Sequence, residues 1–138
     1  MGKIDSSHLL VKPLHAGMNL THFCCSEEDL NEYLKEDALK DLEFLYSITK
    51  VIEYHGEIIG YFTLVTDTIS PKLVDAPVGI KYSYAKLPAV KIARLATDKN
   101  YVRKGIGTFM MVRIFRIVLN MIGDVGCRVI TVEAKKDA

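Results

Sequence analysis

The most constraining feature of the chain lies in its second half, where Ala89 to Thr97 reads as a strand, Lys104 to Ile122 as a helix and Cys127 to Ala134 as a further strand. A strand, a helix and a strand in that order close as a right-handed crossover between parallel strands. The chain is therefore expected to hold a sheet with a helix laid across it. That helix is apolar nearly all round, with Arg113, Arg116 and Asn120 as a narrow polar stripe, so it is expected to be largely covered by the sheet and its neighbours.

The other elements follow from local pattern. Residues 8 to 14 read as a short strand stopped by Pro13. Ser26, followed by Glu27, Glu28 and Asp29, marks a helix start, and Leu30, Tyr33, Leu34, Ala38 and Leu42 recur at helical spacing to about residue 43. Tyr46 to His55 and Ile58 to Thr66 are rich in β-branched and aromatic residues and are split by Gly56-Glu57, which predicts a β-hairpin. Residues 67 to 88 carry Pro71, Pro77, Gly79 and Pro88 and read as a long loop with room for a short helical turn. Loops of that length are often functional. The expected fold class is α/β (α+β): a mixed, mostly antiparallel twisted sheet flanked by helices, in one domain over residues 1–138.

Composition excludes several classes. At 49% hydrophobic and 25% charged residues, the chain is not disordered. It has no uncharged apolar run of the roughly 18 residues a spanning helix needs, and its first residues do not form a signal peptide, so a soluble cytoplasmic protein is expected. Three cysteines, two of them the neighbours Cys24 and Cys25, do not make a disulfide framework. No Cys-x-x-Cys or His-x-x-x-His spacing recruits His15 or His22 to them, so no metal is expected and the pair reads as a helix-entry loop with buried thiols.

Charge is polarised along the chain. Residues 1–75 hold 6 Lys and Arg against 13 acids, a net −7, whereas residues 76–138 hold 12 against 4, a net +8. Between Asp75 and Asp124 the single acid Asp98 stands among nine cations. An anionic partner would explain this, and so would two layers whose charges compensate one another.

The chemistry concentrates in Ile92 to Thr108, where a strand passes through a short basic turn into a helix. Gly105 and Gly107 let the backbone approach a ligand closely, and the first-turn amides of a helix lack intrahelical acceptors. Such a turn binds phosphate. The dinucleotide fingerprint Gly-x-Gly-x-x-Gly fails because Met110 stands at its third glycine, and P-loop spacing is absent.

Val102-Arg103-Lys104-Gly105-Ile106-Gly107 resembles the Gln/Arg-x-x-Gly-x-Gly/Ala signature of the GNAT superfamily of N-acetyltransferases, with Val102 departing from the first position and Arg103 supplying the displaced charge. Ile92-Ala93-Arg94-Leu95-Ala96-Thr97-Asp98 and Gly60-Tyr61-Phe62-Thr63-Leu64 also resemble this family, and within it the small prokaryotic members, including toxins that acetylate aminoacyl-tRNA. The resemblance implies acetyl-coenzyme A (acetyl-CoA) as the cofactor. Leu95, Ala96 and Thr97 would pair with the pantetheine arm, and Val102, Arg103, Lys104, Gly105, Ile106, Gly107 and Thr108 would form the pyrophosphate turn. A backbone amide near Ala96 would polarise the thioester carbonyl, and an amine would attack directly. Glu133, Glu53 and a backbone-held water are the candidate bases, and Arg94 either orients the acceptor or makes a structural pair.

Family members continue into a further helix and two strands, with a tyrosine that protonates the coenzyme A thiolate. The resemblance therefore implies an acyl-CoA N-acyltransferase-like fold lacking its last helix and strands, with poor turnover. The last strand is then an exposed edge, which implies a homodimer that covers it. Three functions follow. One is acetyl transfer from acetyl-CoA to a small-molecule, protein or aminoacyl-tRNA amine; the alternative is a non-catalytic or toxin-like module that binds acetyl-CoA and a macromolecular partner such as aminoacyl-tRNA. The third is engagement of tRNA by the basic half, where Tyr82, Tyr84 and Tyr101 are scattered candidates for stacking on bases.

Overall fold

The computed structural model describes residues 2–70 and 86–133. Five strands form one sheet in chain order: β1 (Leu9–Pro13), β2 (Ile48–Tyr54), β3 (Glu57–Ile69), β4 (Leu87–Thr97) and β5 (Val129–Val132). The first four run antiparallel, and β5 lies parallel to β4, joined to it through helix α3 (Ile106–Met121). The mixed, mostly antiparallel sheet expected from the sequence is therefore the sheet that forms. The hairpin closes through His55 and Gly56, both at positive φ (48° and 83°), the two-residue turn whose twist matches that of its strands.

Several boundaries differ from the sequence expectation. The first helical region begins at Glu28 with Glu27 as its cap, not Ser26, and it is not one regular helix. A π-helical turn, Tyr33–Asp37, separates α1 (Glu28–Glu32) from α2 (Ala38–Glu43). β3 and β4 both reach into the segment read as loop, because Asp67, Thr68 and Ile69 pair with Ala89, Pro88 and Leu87. Cross-strand pairing there overrides the weak strand propensity of Asp67 and Pro88. Pro71, Pro77, Gly79, Tyr82 and Tyr84 lie outside the described residues, as does Ala134. The basic turn also extends further than expected, with α3 starting at Ile106 instead of Lys104.

Two apolar clusters sit on opposite faces of the sheet. One gathers Leu14, Phe23, Tyr33, Leu34 and Ala38 against Val51, Tyr61 and Ala96; the other gathers Ile106, Met110 and Ile114 of α3 against Ile52, Ile59, Phe62 and Ile92. Simple alternation would put Ile59 and Tyr61 on one face, and likewise Ile92 and Arg94. Two β-bulges prevent it. The register shifts between Ile52 and Glu53 leave Ile59 as an extra residue of β3, and those between Thr63 and Leu64 leave Ala93 as an extra residue of β4. Each bulge flips the strand beyond it, so Ile92 faces α3 while Arg94 and Ala96 face the helices of the first half.

Only one face of α3 is covered. Ile106, Met110, Ile114 and Val118 are buried, but Val112, Phe115 and Leu119 are exposed, against the expectation that its neighbours would enclose it. The described residues supply a sheet on one side of this helix and no layer on the other.

Gly60 sets how closely α3 begins against the sheet. A Cβ at this position would stand 3.2 Å from the Ala96 carbonyl oxygen and 3.3 Å from Ile106 Cγ2. Gly60→Ala is expected to lower stability by about 1–2 kcal/mol through overpacking, read as a lower midpoint in denaturant with an unchanged slope.

Candidate active site

β4 has a neighbour on only part of its second edge. Its parallel pairing with β5 runs from Ala89↔Val129 to Ile92↔Val132, and the Ala93 bulge follows at once. Past it, β4 stays paired to β3 as far as Thr97, and among the described residues no strand lies beside it on the β5 side. The Asp98 N–H donates to the Ile59 carbonyl at 2.8 Å, toward β3. By antiparallel alternation, the N–H and C=O of Leu95 and Thr97 then point the other way, into the gap. A cleft of about 830 Å³ occupies it, lined by Ala93 to Thr97, Val102, Val132, Glu133 and, from the opposite wall, Cys25 to Glu27, Asp29 and Leu30.

At one end of the cleft the basic turn enters α3. Arg103 (φ 62°) and Gly105 (φ 86°) are left-handed on either side of Lys104, an alternation that aims successive amides into one concavity. Gly105 is the N-cap of α3 and offers no side-chain oxygen to the first-turn amides. A Cβ at Gly107 would meet nothing within 4 Å. A helix-interior glycine costs about 1 kcal/mol relative to alanine, so internal packing gives no reason for one here, whereas a phosphate approaching the backbone does. The pantetheine edge and the pyrophosphate turn named from the sequence thus adjoin one cleft, and the residues present fit acetyl-CoA.

Arg94 faces into the cleft from β4, its guanidinium carbon 3.5 Å from the centroid of the Tyr33 ring. Tyr33 is itself fixed: its hydroxyl donates to Asp41 Oδ2 at 2.7 Å and lies 3.1 Å from Ser47 Oγ, and burial raises its pKa. Glu133 stands at the cleft mouth, 63% exposed, with Oε2 3.7 Å from Lys91 Nζ. Glu53 does not line the cleft; it pairs with Lys12 at 2.7 Å beside β1. Each of these two salt bridges joins residues from the same half of the chain.

The cleft's second wall is held by hydrogen bonds that sequence alone does not reveal. The Cys24 N–H donates to Asp98 Oδ2 at 3.1 Å, the Asn100 N–H to Asp98 Oδ1 at 2.9 Å and the Lys99 N–H to the Cys24 carbonyl at 2.8 Å. The Cys25 N–H donates to Asn31 Oδ1 at 2.7 Å, and Asn31 Nδ2 returns a bond to the Cys25 carbonyl at 3.1 Å. Tyr61, its phenol held protonated by burial, donates to the Leu30 carbonyl at 2.7 Å. Cys25 is buried and Cys24 half-buried, as a helix-entry loop requires, and burial pushes the Cys25 thiol up, away from nucleophilic use.

The model of the acetyltransferase (GNAT) family matches residues 14–137. A tRNA-acetylating toxin of Mycobacterium tuberculosis (strain ATCC 25618 / H37Rv) is 24% identical over 120 residues, covering 86% of this chain and 71% of that protein. Among solved structures, AtaT complexed with acetyl-methionyl-tRNAfMet superposes with a TM-score of 0.84 at 22% identity, over 94% of this chain and 80% of that one. A point mutant of KacT gives a TM-score of 0.86 at 24% identity, over 94% and 81%. AtaTR bound with AcCoA gives 0.78 at 24% identity, over 93% and 78%.

Asp98 is 5% exposed and accepts from both the Cys24–Cys25 segment and the basic turn. Asp98→Ala leaves two amides without their acceptor and is expected to cost about 1–3 kcal/mol. In hydrogen exchange, faster exchange should be confined to Cys24 and Asn100, with the β2–β3 hairpin keeping its protection.

Proposed function

Because the chain belongs to the GNAT acetyltransferase family and is an N-acetyltransferase that uses acetyl-CoA, we propose that its acceptor is the α-amine of an aminoacyl-tRNA. The observation that carries the cofactor side of this reading is the open edge of β4 leading to the uncapped first turn of α3. When bound, acetyl-CoA supplies an acyl carbonyl activated as a thioester and open to direct attack by an amine.

The chain's own groups divide the work. Arg103, Lys104, Gly105, Ile106, Gly107 and Thr108 bind the diphosphate, mainly through backbone amides. Val102, on the cleft wall, packs beside the pantetheine arm, and the outward N–H and C=O groups of Leu95 and Thr97 pair with that arm on either side of Ala96. One of those two amides donates to the reacting carbonyl oxygen. Arg94 orients the acceptor and disfavours an ammonium beside it, so the amine enters neutral. A small effect of this kind suffices for an α-amine with a pKa near 8, whereas a lysine near 10.4 needs a much larger one. Glu133, at the mouth, would take up the amine's proton directly or through water, and as the C–N bond replaces the C–S bond coenzyme A would leave as its thiolate, protonated from solvent.

Three things support an RNA-borne acceptor: the +8 charge of residues 76–138, the name of the M. tuberculosis relative, and the acetylated tRNA held by AtaT. Among the described residues no helix is long and apolar enough to cross a membrane, and we place the reaction in the cytoplasm. β5 is the edge strand of the described sheet, with Val132 58% exposed, and we propose that a second copy pairs there.

Calorimetric titration with acetyl-CoA should show 1:1 binding. Gly107→Leu keeps a good helix former in place and fills the cradle; it is expected to melt no lower than wild type while binding at least about tenfold more weakly. Equal binding by this variant would remove the turn from the site. With acetyl-CoA and charged tRNA, mass spectrometry should find the acetyl group on the amino acid's α-amine; acetylation only of lysine side chains or free amines would overturn the acceptor assignment. Arg94→Ala is expected to cut acetylation of charged tRNA at least about tenfold with acetyl-CoA binding unchanged. Light scattering should give the mass of a dimer.

A further inference from the structure

We infer that Lys3, on the arm that precedes β1, is a further ligand of the cofactor's diphosphate, an assignment that rests on the cofactor reading above. The arm is built onto the basic turn. The Ile4 N–H donates to the Lys104 carbonyl at 2.9 Å, and the Ile4 side chain packs into the cluster formed by α3 and the sheet. Past Ile4 the chain is fixed again, because the Ser7 N–H donates to Asp5 Oδ1 at 3.0 Å at the start of the Ser6–His8 turn that leads into β1. Held at both points, the arm lays Lys3 across the helix start. Its Cγ and Cδ each stand 3.4 Å from where a Cβ on Gly105 would be.

Two consequences follow from that contact. The methylenes of Lys3 lie in van der Waals range of the space beside Gly105, a residue that its φ of 86° suits to glycine. The ammonium lies only two bonds beyond Cδ, at the end of α3 where the uncapped amides gather. Lys3 is exposed and belongs to neither salt bridge of the described residues. An exposed lysine lying over backbone suits an anion on that backbone, because its flexible stem needs no preset geometry. Arg103 and Lys104 bring charge from within the turn itself; Lys3 brings it from the other side of Gly105.

The test compares wild type, Lys3→Met and Lys3→Arg by calorimetry with acetyl-CoA and with 3′-dephospho-coenzyme A, at low and at moderate salt. Methionine keeps the stem on Gly105 and removes the charge. Lys3→Met should bind both ligands about three- to tenfold more weakly at low salt, with the gap narrowing as salt rises, and Lys3→Arg should restore binding. All three proteins should melt together. Unchanged binding by Lys3→Met overturns the assignment, and so does weakening confined to acetyl-CoA, which would move Lys3 to the 3′-phosphate. Failure of wild type to bind either ligand would overturn the cofactor reading itself, a result distinct from wild-type binding that is indifferent to Lys3.

Discussion

The site depends on β4 exchanging one neighbour for none in the middle of its length. A strand in a sheet interior satisfies its backbone groups on both sides, and leaving one side open is unfavourable unless something else takes them up. β4 is paired on both edges through Ile92, then bulges at Ala93 and continues against β3 alone. The bulge turns Arg94 to the face where Tyr33 lies and leaves Leu95 and Thr97 with backbone groups directed into the gap. An extended, amide-rich ligand can complete that edge as a further strand would. The donor's arm has that character, and on this ground we propose the open edge as its binding site.

The other elements keep the gap open at the correct place. Gly60 brings Ile106 close to β3 and β4, so that the first turn of α3 follows directly on the strand's end. The Ile4 amide occupies the Lys104 carbonyl, leaving the turn to present N–H groups. Across the cleft, the side chains of Asp98 and Asn31 fix the segment around Cys24 and Cys25 by bonding to its main chain. The open edge and the basic turn are thus set by backbone geometry, whereas this segment depends on two side chains.

Much of this was legible in the sequence, for reasons that are local. The hairpin, expected to turn at Gly56-Glu57 and found to turn one residue earlier at His55-Gly56, the crossover through α3 and the glycine-bearing turn each rest on neighbouring residues whose periodicity or φ requirement marks them. The bulges at Ile59 and Ala93 were not legible, because a period-two pattern says nothing of where one residue is added, and a single insertion reverses every face beyond it. Asp98 stands out only as a lone acid at the end of a family-like stretch, and Asn31 not at all; their structural roles emerge when distant segments bring amides to them. Lys3 was equally silent, since its neighbour Gly105 lies about a hundred residues away in sequence. The exposed flank of α3 had the composition of a buried helix; composition reports that a surface is apolar, not what covers it.

Arg94 and the basic turn illustrate how one cleft handles two substrates with opposite needs. The diphosphate is permanently anionic and gains from every cation near α3, while the acceptor amine must shed a proton and gains from a cation only as a repulsive neighbour. At an effective dielectric constant near 20, two unit charges 4 Å apart interact by about 4 kcal/mol. A guanidinium at that distance would lower an ammonium's pKa by about 3 units, and by less as separation grows. Arg94 stacks on Tyr33, and the phenol's bond to Asp41 makes the ring a better cation partner by pushing electron density into it. On the proposed reading, cations would thus serve both substrates: those of the basic turn the nucleotide, and Arg94 the nucleophile. A cleft of this kind selects amines of low intrinsic basicity, a selection made by electrostatics before any contact with the rest of the acceptor.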